Sequence, residues 1–457
     1  MQMKSHLEKA TARMERAYAN LPSDYFNGKN ASTYLFNNIT RVAERAPPLS
    51  EKIERVIERN SDSGPISLYF GVPWCEKICA FCNFAYSTSQ SADVHEQYIK
   101  LLHRELALLQ RAAVSDHRIG SVYFGGGTPT ILQPATLKTY IESTLRKLNL
   151  TRHHSVTVEF STNTITPEKL TIMKEAGVTR ISTGIQSLDD KIRERANLVG
   201  TSRDAMEAVS HAQNTFDNFN IDLIYGHPYQ TDEDWYSTVL SVVKRELPSI
   251  TLYRMEVKTR TSFKKMYARD EDAFGDEHQA RRHYFIARII LEEHNYVETP
   301  LGWWIRKETL VNATDWRTHL QNWRRAIPYF GLGQGAFSLA TGAYYSNHTS
   351  LTAWRQAIED EQLPVSAAVE LSTDDQDLNQ LMRLLRVAKS VNLQELFNDG
   401  SFPAHRSKIE SFFEQQISSG LFSRDHDMYS LTEAGESLVH WIFEDLTKFL
   451  YPELAIV

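Results

Sequence analysis

From residue 66 onward, short runs in which apolar and polar positions alternate give way repeatedly to longer stretches with helical spacing. The short runs are "ISLYFGV" (66–72), "SVYFGG" (121–126), "VTVEF" (156–160), "TRISTGI" (179–185), "FNIDLIYG" (219–226) and "SITLYRMEV" (249–257). Period-two alternation with β-branched and aromatic residues predicts strands. Between them, 93–113, 166–177 and 202–216 predict helices, with Pro167 suited to a first turn and Gly177 to a stop. Six β/α repeats in a row predict a parallel sheet with helices outside, closed or partly closed as a barrel. Residues 1–60 read as a helical lead-in ending in the polar turn "RNSDSGP". After about residue 300 the texture becomes aromatic and glycine-rich, in "LGWWIRKE" (301–308), "NWRRAIPYFGLGQGAFS" (322–338) and "AYYSN" (343–347). From 366 the chain is mostly helical and ends in a helix, a short hairpin and a further helix. The expected organisation is an N-terminal helical extension (1–60), a barrel with a β extension (61–365) and a small winged-helix-like α+β domain (366–457).

The totals change little in this picture. The 457 residues are 42% hydrophobic and 23% charged, an ordinary globular composition. A net charge of −7 argues against nonspecific nucleic-acid binding, and the last 90 residues show no basic stripe. No apolar run approaches the roughly 20 residues of a membrane span, and the charged N-terminus lacks a secretory apolar stretch, so a cytoplasmic location is expected.

The candidate chemistry lies where strands end, as barrel folds place it. All three cysteines of the chain, Cys75, Cys79 and Cys82, fall in "CEKICAFC" just after the first run. An odd, tight cluster speaks against disulfides and for soft-metal or iron–sulfur ligation. Three thiolates leave one iron of a four-iron cluster open. A closed zinc site needs a fourth ligand, and no histidine is near in sequence. "GGGTPT" follows the second run, and its glycines suit close backbone approach to a ligand or a plain tight turn.

Together, "LYFGVPWCEKICAFCNF", "VYFGGGTPT", "GVTRISTGIQSLDD", "NIDLIYGHPYQT" and "YFGLGQGAFS" resemble the radical SAM superfamily and, more narrowly, the oxygen-independent coproporphyrinogen III oxidase family, over about 66–350 plus a C-terminal domain. The resemblance implies a partial (β/α)6 barrel. It implies a [4Fe–4S] cluster on Cys75, Cys79 and Cys82, whose open iron is chelated by S-adenosylmethionine (SAM), and reductive cleavage of SAM to a 5′-deoxyadenosyl radical. It places Gly125, Gly126, Gly127 and Thr128 beside the SAM methionine moiety and Glu159 on the ribose. Gln186 and Asp222 fall on cofactor-contacting positions, and Tyr69 and Phe81 lie near cluster and adenine. Gly333 and Gly335 would border a second SAM or the substrate. Other readings of these residues are a helix cap for Gln186, a pair inside the barrel for Asp222, and core packing for Tyr69 and Phe81.

The sequence also departs from the oxidase. Gly71 replaces a histidine, Phe84 a cysteine, Leu198 an arginine, and Ser161-Thr162 an acidic-proline pair; His227 stands where an apolar residue is usual. These departures favour a class C-type relative that uses two SAM molecules to transfer a methyl or methylene unit to an sp² carbon of a small-molecule substrate, by methylation or cyclopropanation. His227 would shuttle a proton. Trp303, Trp304 and Arg306 would wall a pocket for a flat or acidic substrate. The alternatives are porphyrin or haem chemistry on the same fold, and a haem-binding chaperone without turnover. A monomer reduced by an external donor such as flavodoxin or ferredoxin is expected.

Overall fold

The alternating runs fold as parallel neighbours. In the computed structural model, which describes residues 2–22, 25, 64–84, 87–88, 91–114, 117–312, 327–340 and 342–452, they are β1 (Ile66–Val72), β2 (Ile119–Gly126), β3 (Leu150–Phe160), β4 (Arg180–Gln186), β5 (Phe219–Tyr225) and β6 (Ser249–Arg254). They lie side by side in chain order, every pair parallel. Helices Ala92–Leu109, Pro134–Leu145, Pro167–Glu175, Ser202–Thr215 and Asp232–Val243 connect them. Thr166, Thr201 and Thr231 cap three of these by accepting from backbone N–H groups of the first turn.

The period-two pattern sorts the side chains. Leu68, Phe70, Val122, Phe124, Val156, Val158, Ile181, Ile221, Leu223 and Ile250 are essentially fully buried in the core under the helices. The alternate positions face the concave side and are polar: Tyr69, Tyr123, Thr157, Glu159, Arg180, Ser182, Asn220, Asp222, Ser249 and Thr251. Strands sandwiched between two apolar layers read as continuous hydrophobic runs. This alternation instead builds a sheet with one face for packing and one for a ligand.

The sheet does not stop at six strands. β7 (Tyr296–Glu298) and β8 (Trp303–Arg306) extend it beyond β6, in the order β6-β8-β7, antiparallel. On the other side β9 (Tyr329–Leu332) runs parallel to β1, followed by the antiparallel β10 (Phe337–Ala340), β11 (Ala343–Asn347) and β12 (Val365–Glu370). The twelve strands form one open sheet whose ends do not pair among the described residues. The barrel is therefore partial, and the aromatic–glycine region supplies its flanking strands.

A second core gathers Leu381, Leu385, Phe402, Ile409, Phe413, Trp441 and Leu446 from the C-terminal region. It holds helices Thr373–Ala388, Arg406–Ser418 and Val439–Leu450 against a three-stranded sheet whose last two strands, Phe422–Asp425 and Met428–Leu431, are the expected hairpin. Helix Gln2–Ala17 realises the start of the N-terminal lead-in; the rest of it and most of the turn at 59–65 lie outside the described residues. That helix packs on helix Glu277–Glu293. Arg13 joins it to Glu292 at 2.6 Å and, through Nε at 2.6 Å, to Glu433. Arg288 reaches Glu436 at 2.7 Å and Glu292 at 2.9 Å, so one network binds three parts of the chain.

Candidate functional site

The chain leaving β1 is pinned before it reaches the cysteines. Trp74 is 1% exposed, with its ring 4.6 Å from His95 and 5.0 Å from Tyr98. Trp74 and Cys75 pair with Ser87 and Thr88 in a two-residue parallel bridge. Beyond Cys75 the loop is tied down by its backbone: Ala80 N–H donates to Ala196 O (2.8 Å), Phe263 N–H to Ala80 O (2.9 Å), and Asn197 Nδ2 to Ile78 O (2.9 Å). A turn closes from Cys82 N–H to Cys79 O at 3.0 Å. Cys75 Sγ lies 3.3 Å from Thr128 Oγ1, and Cys82 Sγ accepts from Phe84 N–H at 3.4 Å. All three thiols are half-buried. Burial pushes the Cys75 thiol up to about 11, against a lowering hydrogen bond from Thr128. Burial and then the neighbouring Cys82 and Cys75 push Cys79 up to about 12. Metal ligation by thiolates must displace these protons. Among the described residues no group of three His, Cys, Asp or Glu side chains is set to hold a single metal ion.

The glycine run sits directly behind this loop. Gly126 has φ +106°, and a Cβ there would lie 2.7 Å from Val72 O. A Cβ on Gly127 would lie 2.4 Å from Trp74 O, and one on Gly125 2.7 Å from Glu159 Oε2. Only glycine lets β2 end this close to both the cysteine loop and the Glu159 carboxylate. Tyr123 donates to Glu159 Oε1 at 2.7 Å, and Tyr69 stacks on Tyr123 with centroids 5.7 Å apart. Burial raises the Glu159 carboxyl to about 7; the Tyr123 hydrogen bond lowers it and Asp222 raises it further.

At the end of β4, Gln186 has φ +66°, and its Oε1 is buried with no hydrogen-bond partner among the described residues. It caps no helix; Asp189 caps Asp190–Arg195. Asp222 stands within β5 and joins an interior network: Asn220 Nδ2 donates to it at 2.9 Å and to Ser182 Oγ at 3.0 Å, while Ser249 and Thr251 donate to Asn220 Oδ1. Burial lifts Asp222 to about 6, with Arg180 pulling it down. Tyr123, Arg180 and Asn220 complete the polar floor and are not singled out by the motifs; their shared strand parity with Glu159 and Asp222 is the signal that locates them.

A cluster with one open iron and a SAM laid across the strand ends fit these residues on two observations. The glycine run has no room for a Cβ against Val72, Trp74 and Glu159, so its backbone stays bare beside the cysteine loop, and Gln186 Oε1 is buried without a partner among the described residues. Cys75, Cys79 and Cys82 would hold the cluster; Gly125–Thr128, Glu159, Gln186 and Asp222 would hold SAM. When bound, the two together supply one-electron cleavage of a carbon–sulfur bond.

The remaining candidates are placed differently. Phe81 packs near Phe263 (6.4 Å) and edge-on to His227 (6.1 Å). His227 is 2% exposed, neither ring nitrogen has a partner among the described residues, and burial with nearby Arg195 pushes it down to about 3. Trp303 faces a cavity of about 80 Å³ between β6 and the C-terminal helices, lined also by Tyr253, Arg254, Arg281 and His440. Trp304 is core, and Arg306 turns outward to Glu246 O and Glu308.

Gly333 and Gly335 stand on the outer side of β1. Gly333 (φ +110°) is wedged against Gly71 O, and its N–H donates to buried Glu105 at 2.9 Å. Asn347 Nδ2 (2.6 Å) and Trp354 Nε1 (3.0 Å) donate to the same carboxylate. Burial holds Glu105 up at about 8 despite these donors. An unfolded Glu ionises near 4.5. Between those values the folded chain keeps a proton that the unfolded chain has lost, so stability falls as pH rises through the window. Glu159 and Asp222 act with the same sign. Burial of His227 and His440 acts with the opposite sign, because it disfavours protons that the unfolded chain takes up on acidification. The Glu105 contribution is therefore isolated by comparing the parent with Glu105→Gln, without added SAM, by calorimetry. The melting temperature of Glu105→Gln minus that of the parent is expected to rise by several degrees from about pH 5.5 to about pH 8, and a difference that stays level or falls would contradict the assignment.

Residues 69–242 match the Radical SAM superfamily. The chain is 25% identical to the haem chaperone HemW of Bacillus subtilis over 387 residues, covering 82% of this chain and 98% of that protein. It is 24% identical to the oxygen-independent coproporphyrinogen III oxidase of Helicobacter pylori over 398 residues, covering 84% and 86%. The solved coproporphyrinogen III oxidase HemN of Escherichia coli superposes with a TM-score of 0.77 over 94% of this chain and 98% of that one; at 17% identity this likeness shows the fold alone. No helix among the described residues is long and apolar enough to cross a membrane. These relatives correct the expectation of methyl or methylene transfer. The departures at Gly71, Phe84, Leu198 and His227 separate the chain from the oxidase but do not lead to a class C methyltransferase, because the relatives it matches over most of its length are a haem chaperone and a coproporphyrinogen III oxidase. Residues 69–242 thus match the Radical SAM superfamily, and the chain that carries them is similar over most of its length to haem chaperones and oxygen-independent coproporphyrinogen III oxidases.

Proposed function

We propose that this protein works in haem metabolism as a cluster- and SAM-binding haem chaperone, in the manner of its HemW relatives. The observation that carries this reading is similarity running through 98% of the Bacillus subtilis chaperone, well beyond the Radical SAM segment itself. Phe84 supports the same choice, since the oxidase pattern to which the sequence was compared has a cysteine there. Oxidative decarboxylation of coproporphyrinogen III is the second reading, favoured by the Helicobacter pylori oxidase. In both, the polar concave face binds and orients, and the cysteine loop and glycine run shield the reacting end from water.

The test uses protein reconstituted anaerobically with iron and sulfide. Titration with haem, followed by its absorbance change, is expected to saturate near one haem per chain. Incubation with coproporphyrinogen III, SAM and dithionite is expected to leave the substrate intact. Consumption of the porphyrinogen would move the protein to the oxidase reading. Absence of both haem binding and porphyrinogen turnover would remove haem metabolism altogether.

A further inference from the structure

The cavity of about 80 Å³ beside Trp303 gathers basic side chains from both the barrel and the C-terminal region. Arg254 ends β6, Arg281 lies on helix Glu277–Glu293, and Arg386 lies near the end of helix Thr373–Ala388. His440, on helix Val439–Leu450, lines it as well. Each guanidinium is held in place. Glu277 accepts from Arg254 Nη1 at 2.9 Å and from Arg281 Nη2 at 3.3 Å. Arg281 Nη1 also donates to Ser437 O at 2.8 Å, and the guanidinium lies 4.6 Å from the Trp441 ring centroid. Arg386 and Leu301 clasp each other: Nη2 donates to Leu301 O at 3.0 Å, and Leu301 N–H donates to Arg386 O at 2.9 Å.

Two carboxylates share the wall, and both are engaged by other groups. Glu298 accepts from the Tyr284 hydroxyl (2.9 Å) on one oxygen and from the Gly302 N–H (2.8 Å) on the other. Burial also pushes its carboxyl up, which weakens it as a counterion. Glu436 is held by Arg288 (2.7 Å) and Lys389 (3.1 Å), neither of which lines the cavity. Arg281 is 6% exposed, and its Nε has no hydrogen-bond partner among the described residues. The positive field reaches His440: after burial, Arg386 and then Arg281 push it well below the ordinary histidine range.

The cavity also adjoins the polar floor. Thr251 lines it and donates at 3.1 Å to Asn220, the residue that donates to Asp222. Tyr253 follows with the same strand parity and is 39% exposed, and Trp303 pairs with Thr251 across β6 and β8. Two aromatic side chains therefore share the face that carries Asn220 and Asp222. The wall differs from the one expected around Trp303, Trp304 and Arg306: only Trp303 belongs to it.

We propose that this cavity is a carboxylate subsite, which takes one acidic side arm of a flat ring ligand whose body lies over the polar concave face. The guanidiniums of Arg254, Arg281 and Arg386 face the carboxylate, and Tyr253 and Trp303 pack against the ring. Planar guanidiniums match a planar carboxylate, and aromatic side chains match a flat apolar ring. The proposal rests on the haem reading above and adds the residues that recognise a propionate.

The test compares haem with its dimethyl ester, in which both carboxylates are masked and the ring is unchanged. Each is titrated by absorbance into the anaerobically reconstituted protein in the same detergent buffer. The parent is expected to bind haem at least about tenfold more tightly than the ester. In Arg386→Gln that preference should shrink to within about threefold, because haem binding weakens and ester binding does not. If circular dichroism shows that this variant folds poorly, Arg254→Gln carries the same comparison. Equal affinity for haem and ester in the parent, or an undiminished preference in the folded variant, overturns the subsite. Binding of neither compound to the parent overturns the haem reading as well, so the two failures are told apart.

Discussion

Replacing Cys75, Cys79 and Cys82 together by alanine is expected to lower bound iron after anaerobic reconstitution at least tenfold, to about background, and to remove the sulfur-to-iron charge-transfer absorbance. These are the only thiols in the chain, so nothing can substitute for them. The fold should survive. The cysteines are half-buried in a loop, and only Cys79 touches an apolar group, the small cluster of Ala80, Leu198, Ile224 and Phe263. Losing that contact costs on the order of 1 kcal/mol, small against a typical stability of roughly 5–15 kcal/mol. An unchanged far-ultraviolet circular dichroism spectrum would confirm that the loss is local. Iron retained at parental stoichiometry would refute the ligand assignment.

The second large effect is expected from Gly127→Ala. The added methyl would meet Trp74 O at 2.4 Å, Trp74 C at 2.7 Å and Trp74 N at 2.9 Å, all backbone atoms. Trp74 cannot yield easily, because its ring is locked between His95 and Tyr98 and its backbone pairs with Ser87. The strain must therefore separate the cysteine loop from the glycine run, stretching the 3.3 Å approach of Cys75 to Thr128. Overpacking of this kind costs about 1–3 kcal/mol. If half of it falls on the bound state, SAM affinity drops about two- to tenfold. Equilibrium dialysis of radiolabelled SAM against reconstituted protein measures it, and an affinity within twofold of the parent would show that the cradle is not used.

How far the sequence foretold this site depends on what kind of signal each part carries. Six β/α repeats, their order and the cysteine loop after β1 were all legible, because alternation, helix spacing and clustered thiols are local patterns. The polar floor was half legible. Glu159 and Asp222 were marked by the family resemblance, but Tyr123, Arg180 and Asn220 become visible only when strand parity is followed from one run to the next. Gly333 and Gly335 show the limit. Their repeat looks like a ligand loop, yet the Gly333 N–H donates to Glu105, 228 positions away and buried, and the Gly335 N–H to His348 O. A lone carboxylate inside a helix gives no hint of that from sequence. The chemistry was misjudged for a different reason: substitutions around a shared scaffold say what has been lost from one relative more readily than which other relative has been approached.

The ionic network at Arg13 sets a condition on how the molecule is made. The guanidinium is synthesised early, but one of the carboxylates that hold it, Glu433, emerges 420 positions later. A ribosome adding roughly 5–20 residues per second leaves that contact open for at least about 20 seconds. Through that interval helix Gln2–Ala17 must wait, with its apolar stripe of Ala10 and Met14 uncovered or only partly seated on helix Glu277–Glu293. Final docking of helix Gln2–Ala17 is then complete only after Glu433 has emerged. Nascent protein truncated before Glu433 should keep the opening segment open to protease, while full-length protein protects it.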